Sequence, residues 1–318
     1  MEYINGVTFG YLSQRGEWAK EEAFESLRLL KNRCAATHII LAVVVEQASI
    51  HATKIDWQNK NVLGDQEVKD MIAYAHKIGL KVILKPMVNI ADGTWRAHIN
   101  FFEYDVPCEP KWSDWFISYT EFITHYAKIA QDTKCSLFVI GCELVNSNRR
   151  EKEWRQVIKA VRNSYKGLIT YNCDKYQEDR LTWWDALDVI SSSGYYPIDK
   201  WGQELERIEK IVMKEQKPFF FCEVGCASRT GSKWLPNNWE LQGHVDHLSQ
   251  KEWYTEMFEQ ADKHEWIRGV GLWDWKAQLY SIEKADENDD YALYGKPTEE
   301  VVKQYFEKNK KIFKSIYI

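Results

Sequence analysis

Eight short runs of apolar, mostly β-branched residues recur along the chain, and they restrict its fold more than any other feature. They are Ile4–Phe9, His38–Val45, Lys81–Val88, Leu137–Cys142, Leu168–Tyr171, Val189–Ser192, Phe219–Val224 and Gly269–Trp273. Most are continuous apolar stretches, the pattern of parallel strands covered on both faces. Amphipathic stretches separate them. Asp65 reads as an N-cap, with Val68, Met71, Ile72, Ala75 and Ile78 on one face and Gly79 as the stop. Similar stripes are Trp115–Phe116–Tyr119–Ile123–Tyr126–Ile129, Trp154–Val157–Ile158–Val161, Trp253–Met257–Ala261 and Val301–Val302–Tyr305–Phe306. The segments 182–187 and 201–216 are weaker, although the topology demands a crossover in each.

Eight βα units in 318 residues suit a closed barrel, which takes ~250 residues plus loop insertions. An open nucleotide-binding sheet is disfavoured, because Gly6, Gly10 and Gly16 do not make G-x-G-x-x-G and no P-loop occurs. With no repeats or linkers, the expectation is an α/β protein, a single (β/α)8 TIM barrel with elongated βα loops over residues 1–318. The formal net charge of −5 lacks the basic footprint of a nucleic-acid binder. No apolar run approaches the ~20 residues of a membrane span. The start, MEYINGVTFGYLSQ, lacks a signal-peptide pattern, and seven scattered cysteines read as reduced thiols. A cytoplasmic location is expected, or a secreted one if a leader has been trimmed. No cofactor is expected.

The aromatic content is the informative excess: 15 Trp, 17 Tyr and 13 Phe. Indole rings stack on the apolar faces of sugars, although about half of the tryptophans are expected to pack helices on the barrel. Long loops follow runs one, two, three, seven and eight, at the barrel face where active sites sit. Trp57, Trp95, Trp112, Trp234, Trp239 and Trp275 lie in or beside them, which favours an aromatic-lined cleft.

Glu143 and Glu223 close the fourth and seventh runs. A strand-end carboxylate is partly desolvated and persists only if paired, hydrogen-bonded or used. Either alone could be a structural salt bridge to Lys85 or Arg96. Together they face each other across the barrel mouth, as a pair flanking a glycosidic bond must. A separation of ~5–5.5 Å would retain anomeric configuration and ~6.5–9.5 Å would invert it. Glu46, Asp174 and Asp274 are secondary candidates. His244 and His247 share a helical spacing without a third ligand, so no metal is expected, and G-x-S-x-G is absent. Cys142 and Cys222, each preceding a key glutamate, are expected to point away from it into the barrel wall.

Several stretches resemble the endo-β-1,4-mannanases of glycoside hydrolase family 113, within the clan of retaining β-glycosidases on (β/α)8 barrels. They are Leu84–Asn89 with Asp92–Arg96, Gly141–Leu144, Trp184–Val189, Gly194–Pro197 and Gly271–Trp275. The resemblance implies Glu143 as acid/base and Glu223 as nucleophile, with Tyr196 or its neighbour Tyr195 hydrogen-bonded to the nucleophile. It implies Trp273 or Trp275 as the floor beneath the sugar, and Asn172, Trp95 and Arg96 as sugar contacts. The acid is expected to carry a raised pKa. Much of the clan has Asn before the acid/base, where this chain has Cys142. The expected partner is an oligosaccharide or polysaccharide, and the expected reaction is double displacement on β-1,4-mannan. Alternatives are a β-1,4-glucan hydrolase, a non-catalytic carbohydrate-binding barrel, an aldolase using Lys85, and a metal-dependent hydrolase.

Overall fold

The computed structural model describes residues 1–316. Eight parallel strands close into a barrel in sequence order, the last pairing with the first. They are β1 (Ile4–Phe9), β2 (His38–Gln47), β3 (Lys81–Ile90), β4 (Leu137–Cys142), β5 (Leu168–Cys173), β6 (Val189–Ser193), β7 (Phe219–Val224) and β8 (Ile267–Trp275). Seven α-helices among the described residues surround them: α1 (Glu21–Cys34), α2 (Asp65–Lys77), α3 (Trp112–Asp132), α4 (Glu151–Ser164), α5 (Trp201–Glu215), α6 (His247–Ala261) and α7 (Thr298–Ile316). This is the (β/α)8 barrel that the run pattern predicts.

Strands β2, β3 and β8 extend beyond the apolar runs, because strand geometry continues into the polar residues at the mouth. Asp65 is the first helical residue of α2 and not its cap. The cap position is Gly64, whose N–H donates to the Glu67 carboxylate at 2.8 Å. The weak segment 182–187 holds no α-helix. The β5-to-β6 crossover runs through two 3-10 turns, Glu178–Arg180 and Trp184–Ala186. Trp183 fills the space there, stacked on Trp154 of α4 at 5.1 Å.

Nine of the fifteen tryptophans are fully buried, among them Trp112, Trp154, Trp201 and Trp253 on helices. Each removes ~150–250 Å² from water, worth at most about 4–6 kcal/mol at ~25 cal/mol per Å². Most of the indole excess therefore holds helices to the barrel. Trp95, Trp234 and Trp239 remain exposed on loops at the mouth.

Inside the barrel, Ile4, Ile40, Ile83, Leu137, Val139, Val189, Phe220 and Cys222 fill the lower layers. Strict alternation would then turn Cys142 and Glu223 outward. The register slips between Val139 and Cys142 in β4/β5 and between Ser192 and Ser193 in β6/β7. One extra residue re-aims every side chain beyond it. As a result Cys142 and Glu223 both face the mouth.

Candidate active site

The chain reverses sharply where β4 ends. Glu143 has a left-handed backbone, φ 51°, and its N–H donates to the Asn172 carbonyl of β5 at 2.9 Å. A non-glycine residue is held this way only when its surroundings over-determine it. Gly141 lets the strand approach its cover, since a Cβ there would lie 2.8 Å from the Tyr171 ring and 2.9 Å from the Tyr119 hydroxyl. The Glu143 carboxylate receives three donors. Ser193 Oγ donates to Oε1 at 2.6 Å, while Arg96 Nη1 and Trp95 Nε1 donate to Oε2 at 3.1 and 3.2 Å. Arg96 is itself fixed, donating to the Val88 carbonyl at 2.9 Å and to Asn89 Oδ1 at 2.6 Å.

Glu223, buried at the end of β7, receives a different set. Lys85 Nζ pairs with Oε1, Tyr195 OH donates to Oε2 at 3.1 Å, and Cys142 Sγ lies 3.4 Å from Oε1. Burial alone would discharge Lys85, but its ion pair with the Glu223 carboxylate helps to hold it above the usual lysine range. Asn172 joins the two sites: it accepts from Lys85 Nζ at 3.4 Å, and its Nδ2 donates to Ser193 Oγ at 2.9 Å. A hydrogen-bonded chain, Glu223–Lys85–Asn172–Ser193–Glu143, thus runs beneath the mouth. On the other side Cys142 Sγ, 3.8 Å from Arg96 Nη1, nearly closes the ring.

The wall is aromatic. Trp273 packs against Tyr11 at 4.6 Å and lies 5.9 Å from Lys85 Nζ. Trp239, half-exposed, meets Trp273 edge-on at 6.2 Å and Tyr291 at 4.2 Å.

Of the residues singled out in the sequence, Glu143, Glu223, Trp95, Arg96, Asn172 and Trp273 converge here. Two do not. Tyr196 points away from the mouth, its hydroxyl donating to the buried Glu178 at 3.1 Å, and the preceding Tyr195 meets Glu223 instead. Trp275 turns outward because β8 slips against β1 between Val7 and Phe9, and its Nε1 donates to Ser26 of α1 at 3.0 Å. Cys142 corrects a further expectation, since its thiol lies in the site. So does the acidity of Glu143. Burial pushes it up, but Arg96, the Ser193 hydroxyl, Lys85 and Lys175 outweigh burial and hold it below the usual glutamate range. The salt-bridge and catalytic readings of the glutamates prove compatible, because Lys85 and Arg96 are their partners within the mouth. Sequence reasoning missed Ser193, Asn89 and Tyr11. The run of serines closing β6 was the available signal.

Paired carboxylates with fixed cationic partners, beside an aromatic wall, can protonate a leaving oxygen and attack an anomeric carbon. A profile of Glycoside Hydrolase Family 113 matches residues 7–296. The chain belongs to glycoside hydrolase family 113. Two solved structures described as GH113 β-1,4-mannanase, one of them a complex, are 51% and 52% identical to it, each at TM-score 0.96. In both cases the match covers 96% of this chain and 99% of the other. A third, the GH113 β-mannanase AaManA from Alicyclobacillus acidocaldarius in complex with ManMIm, is 38% identical at TM-score 0.94, covering 97% and 98%. A β-glucuronidase from Bifidobacterium dentium, 13% identical at TM-score 0.64 and matched over 46% of its length, shares the fold alone. A comparison with curated proteins gave no match. Family membership makes the chain a glycoside hydrolase.

Proposed function

We propose that this glycoside hydrolase cleaves β-1,4-mannosidic linkages in mannan or manno-oligosaccharides by double displacement. The observation that carries the reading is the pair Glu143 and Glu223, each held by its own buried cation and joined under one aromatic-walled mouth. The similar β-1,4-mannanases support the substrate class. Glu223 attacks the anomeric carbon while Glu143 gives its proton to the leaving oxygen, and the glycosidic bond breaks. Water then attacks the glycosyl ester, Glu143 takes the water's proton, and the ester bond to Glu223 breaks. Tyr195 and Lys85 orient the nucleophile. Trp273 is the platform for the sugar being cleaved, and Trp95, Arg96 and Asn172 contribute to the polar side of the cleft.

The test is product analysis on mannohexaose and cellohexaose, with Glu223→Ala as the control. Cleavage of the mannoside, lost in the variant, is expected, and NMR should show the β-anomer forming first. Cleavage of cellohexaose alone would replace mannan by a β-glucan, and first formation of the α-anomer would overturn double displacement.

A further inference from the structure

Asp174 stands one residue beyond β5 and has no part in the mechanism above, yet it is buried at the mouth. Strand register sets it beside the acid/base. Cys142 pairs with Asn172, and the Glu143 N–H donates to the Asn172 carbonyl, so both chains leave the barrel together with Glu143 and Asp174 as their first mouth carboxylates. Lys175 knits the cluster: its Nζ is 3.6 Å from Asp174 Oδ1 and 5.9 Å from the ring of Trp95, whose indole N–H donates to Glu143. A carboxylate beside the proton-donating carboxylate is costly unless one of them keeps a proton.

From this juxtaposition we propose that Asp174 is a positioning residue for the acid step: Glu143 and Asp174 are a charge-coupled carboxyl pair that holds one proton between its two members, and that proton is the one delivered to the leaving oxygen. The inference rests on the acid/base role of Glu143. It resolves a conflict in the resting site, where three donors and nearby cations favour ionised Glu143. Burial, followed by the charge of Glu143, pushes Asp174 up to about 7, against the pull of Lys175, while Glu178 adds to the rise. Arg96 and Lys85 from the β3 side, Lys175 from the segment after β5 and the Ser193 hydroxyl from β6 face Glu143. Lys175 and Glu178 face Asp174, and Tyr176 lies within its field. The proton rests on Asp174 and moves to Glu143 as glycosidic cleavage makes the leaving oxygen basic. The pair is left doubly ionised, and the attacking water returns the proton in the second step. The last proton leaves such a pair at a macroscopic pKa belonging to both groups, so it sets the alkaline limb.

Asp174→Asn removes both the stored proton and the charge that raises the affinity of Glu143 for one. The alkaline limb of kcat/KM on mannohexaose should move down by about one pH unit or more, cutting activity at pH 7 roughly tenfold. Hydrolysis of a 2,4-dinitrophenyl mannobioside, whose leaving group needs no proton, should keep its limb. Asp174→Glu should restore the limb. Lys175→Met, which removes a cation from both carboxylates, should move it upward and serves if Asp174→Asn fails to fold. A limb that stays in place in Asp174→Asn while kcat or KM changes, or stays in place in Lys175→Met, would mark Asp174 as an ordinary sugar contact and overturn the inference alone. Wild-type protein inactive on mannohexaose would overturn the proposed function, and the inference with it.

Discussion

Two carboxylates three strands apart on one barrel are held in opposite ways. Glu223 sits on the floor beside a compact, wholly buried ammonium, with a phenol on its other oxygen. Glu143 sits nearer the rim under a planar guanidinium, an indole N–H and a hydroxyl, with Asp174 on its flank. The proposed chemistry explains the contrast. The nucleophile loses its charge once per turnover by forming an ester, and for that interval Lys85 keeps uncharged neighbours such as Asn172 and Cys222 in place of its counter-ion. A buried cation deprived of its counter-ion disfavours that state, which favours return of the free carboxylate. The acid/base must give and regain a proton, and it has a second carboxyl that can hold one.

The largest effect should come from removing either carboxylate, and the comparison predicts different failures. Glu223→Ala should abolish turnover on every substrate while leaving mannohexaose binding largely intact by calorimetry. Glu143→Ala should lose about 10²- to 10⁴-fold on mannohexaose but form the glycosyl-enzyme at near wild-type rate from a dinitrophenyl mannobioside, read as a burst of phenolate. Activity of Glu223→Ala on mannohexaose, or equal losses on both substrates in Glu143→Ala, would dissolve the division of roles.

A smaller effect separates the adjacent tyrosines. Tyr195→Phe removes the donor to Glu223, and hydrogen bonds to charged groups are worth ~1.5–3 kcal/mol, so kcat/KM should fall roughly 10- to 100-fold. Tyr196→Phe removes a donor to Glu178, which Ser192 and Arg207 also hold. It should lower stability by about 1 kcal/mol in a urea melt and leave kcat unchanged. The reverse ranking would return Tyr196 to the nucleophile.

That pair also marks where sequence reading stops. The barrel was legible because each strand is an apolar run and each helix but the weakest carries a stripe. The carboxylates were legible because a glutamate closing an apolar strand is conspicuous. Which neighbour faces the mouth was not, since that depends on strand slips that leave no residue-type signature. A period-two count sends Cys142 into the wall and brings Trp275 inward beside Trp273, and the slips in β4/β5 and β1/β8 reverse both. Lys85 and Arg96 were already candidate partners in the sequence, but which of them pairs with which glutamate required the three-dimensional structure, because each lies on or after β3, far along the chain from its glutamate.

The smallest shift tests the electrostatics of the rim. Burial raises the pKa of Glu143, and Arg96 is first among the groups that bring it back down. Arg96→Met removes that cation while keeping an unbranched apolar stem in the slot. The carboxyl of Glu143 should then hold its proton to higher pH, so the alkaline limb on mannohexaose should rise by about one unit, opposite in sign to Asp174→Asn. KM should increase as well if the guanidinium also binds sugar, and a pH profile separates the two effects because lost binding lowers the whole curve without moving its limbs. A limb that stays in place in Arg96→Met would mean that the guanidinium serves only to bind the glycan, and that the low pKa of Glu143 has its origin in Ser193, Lys85 and Lys175.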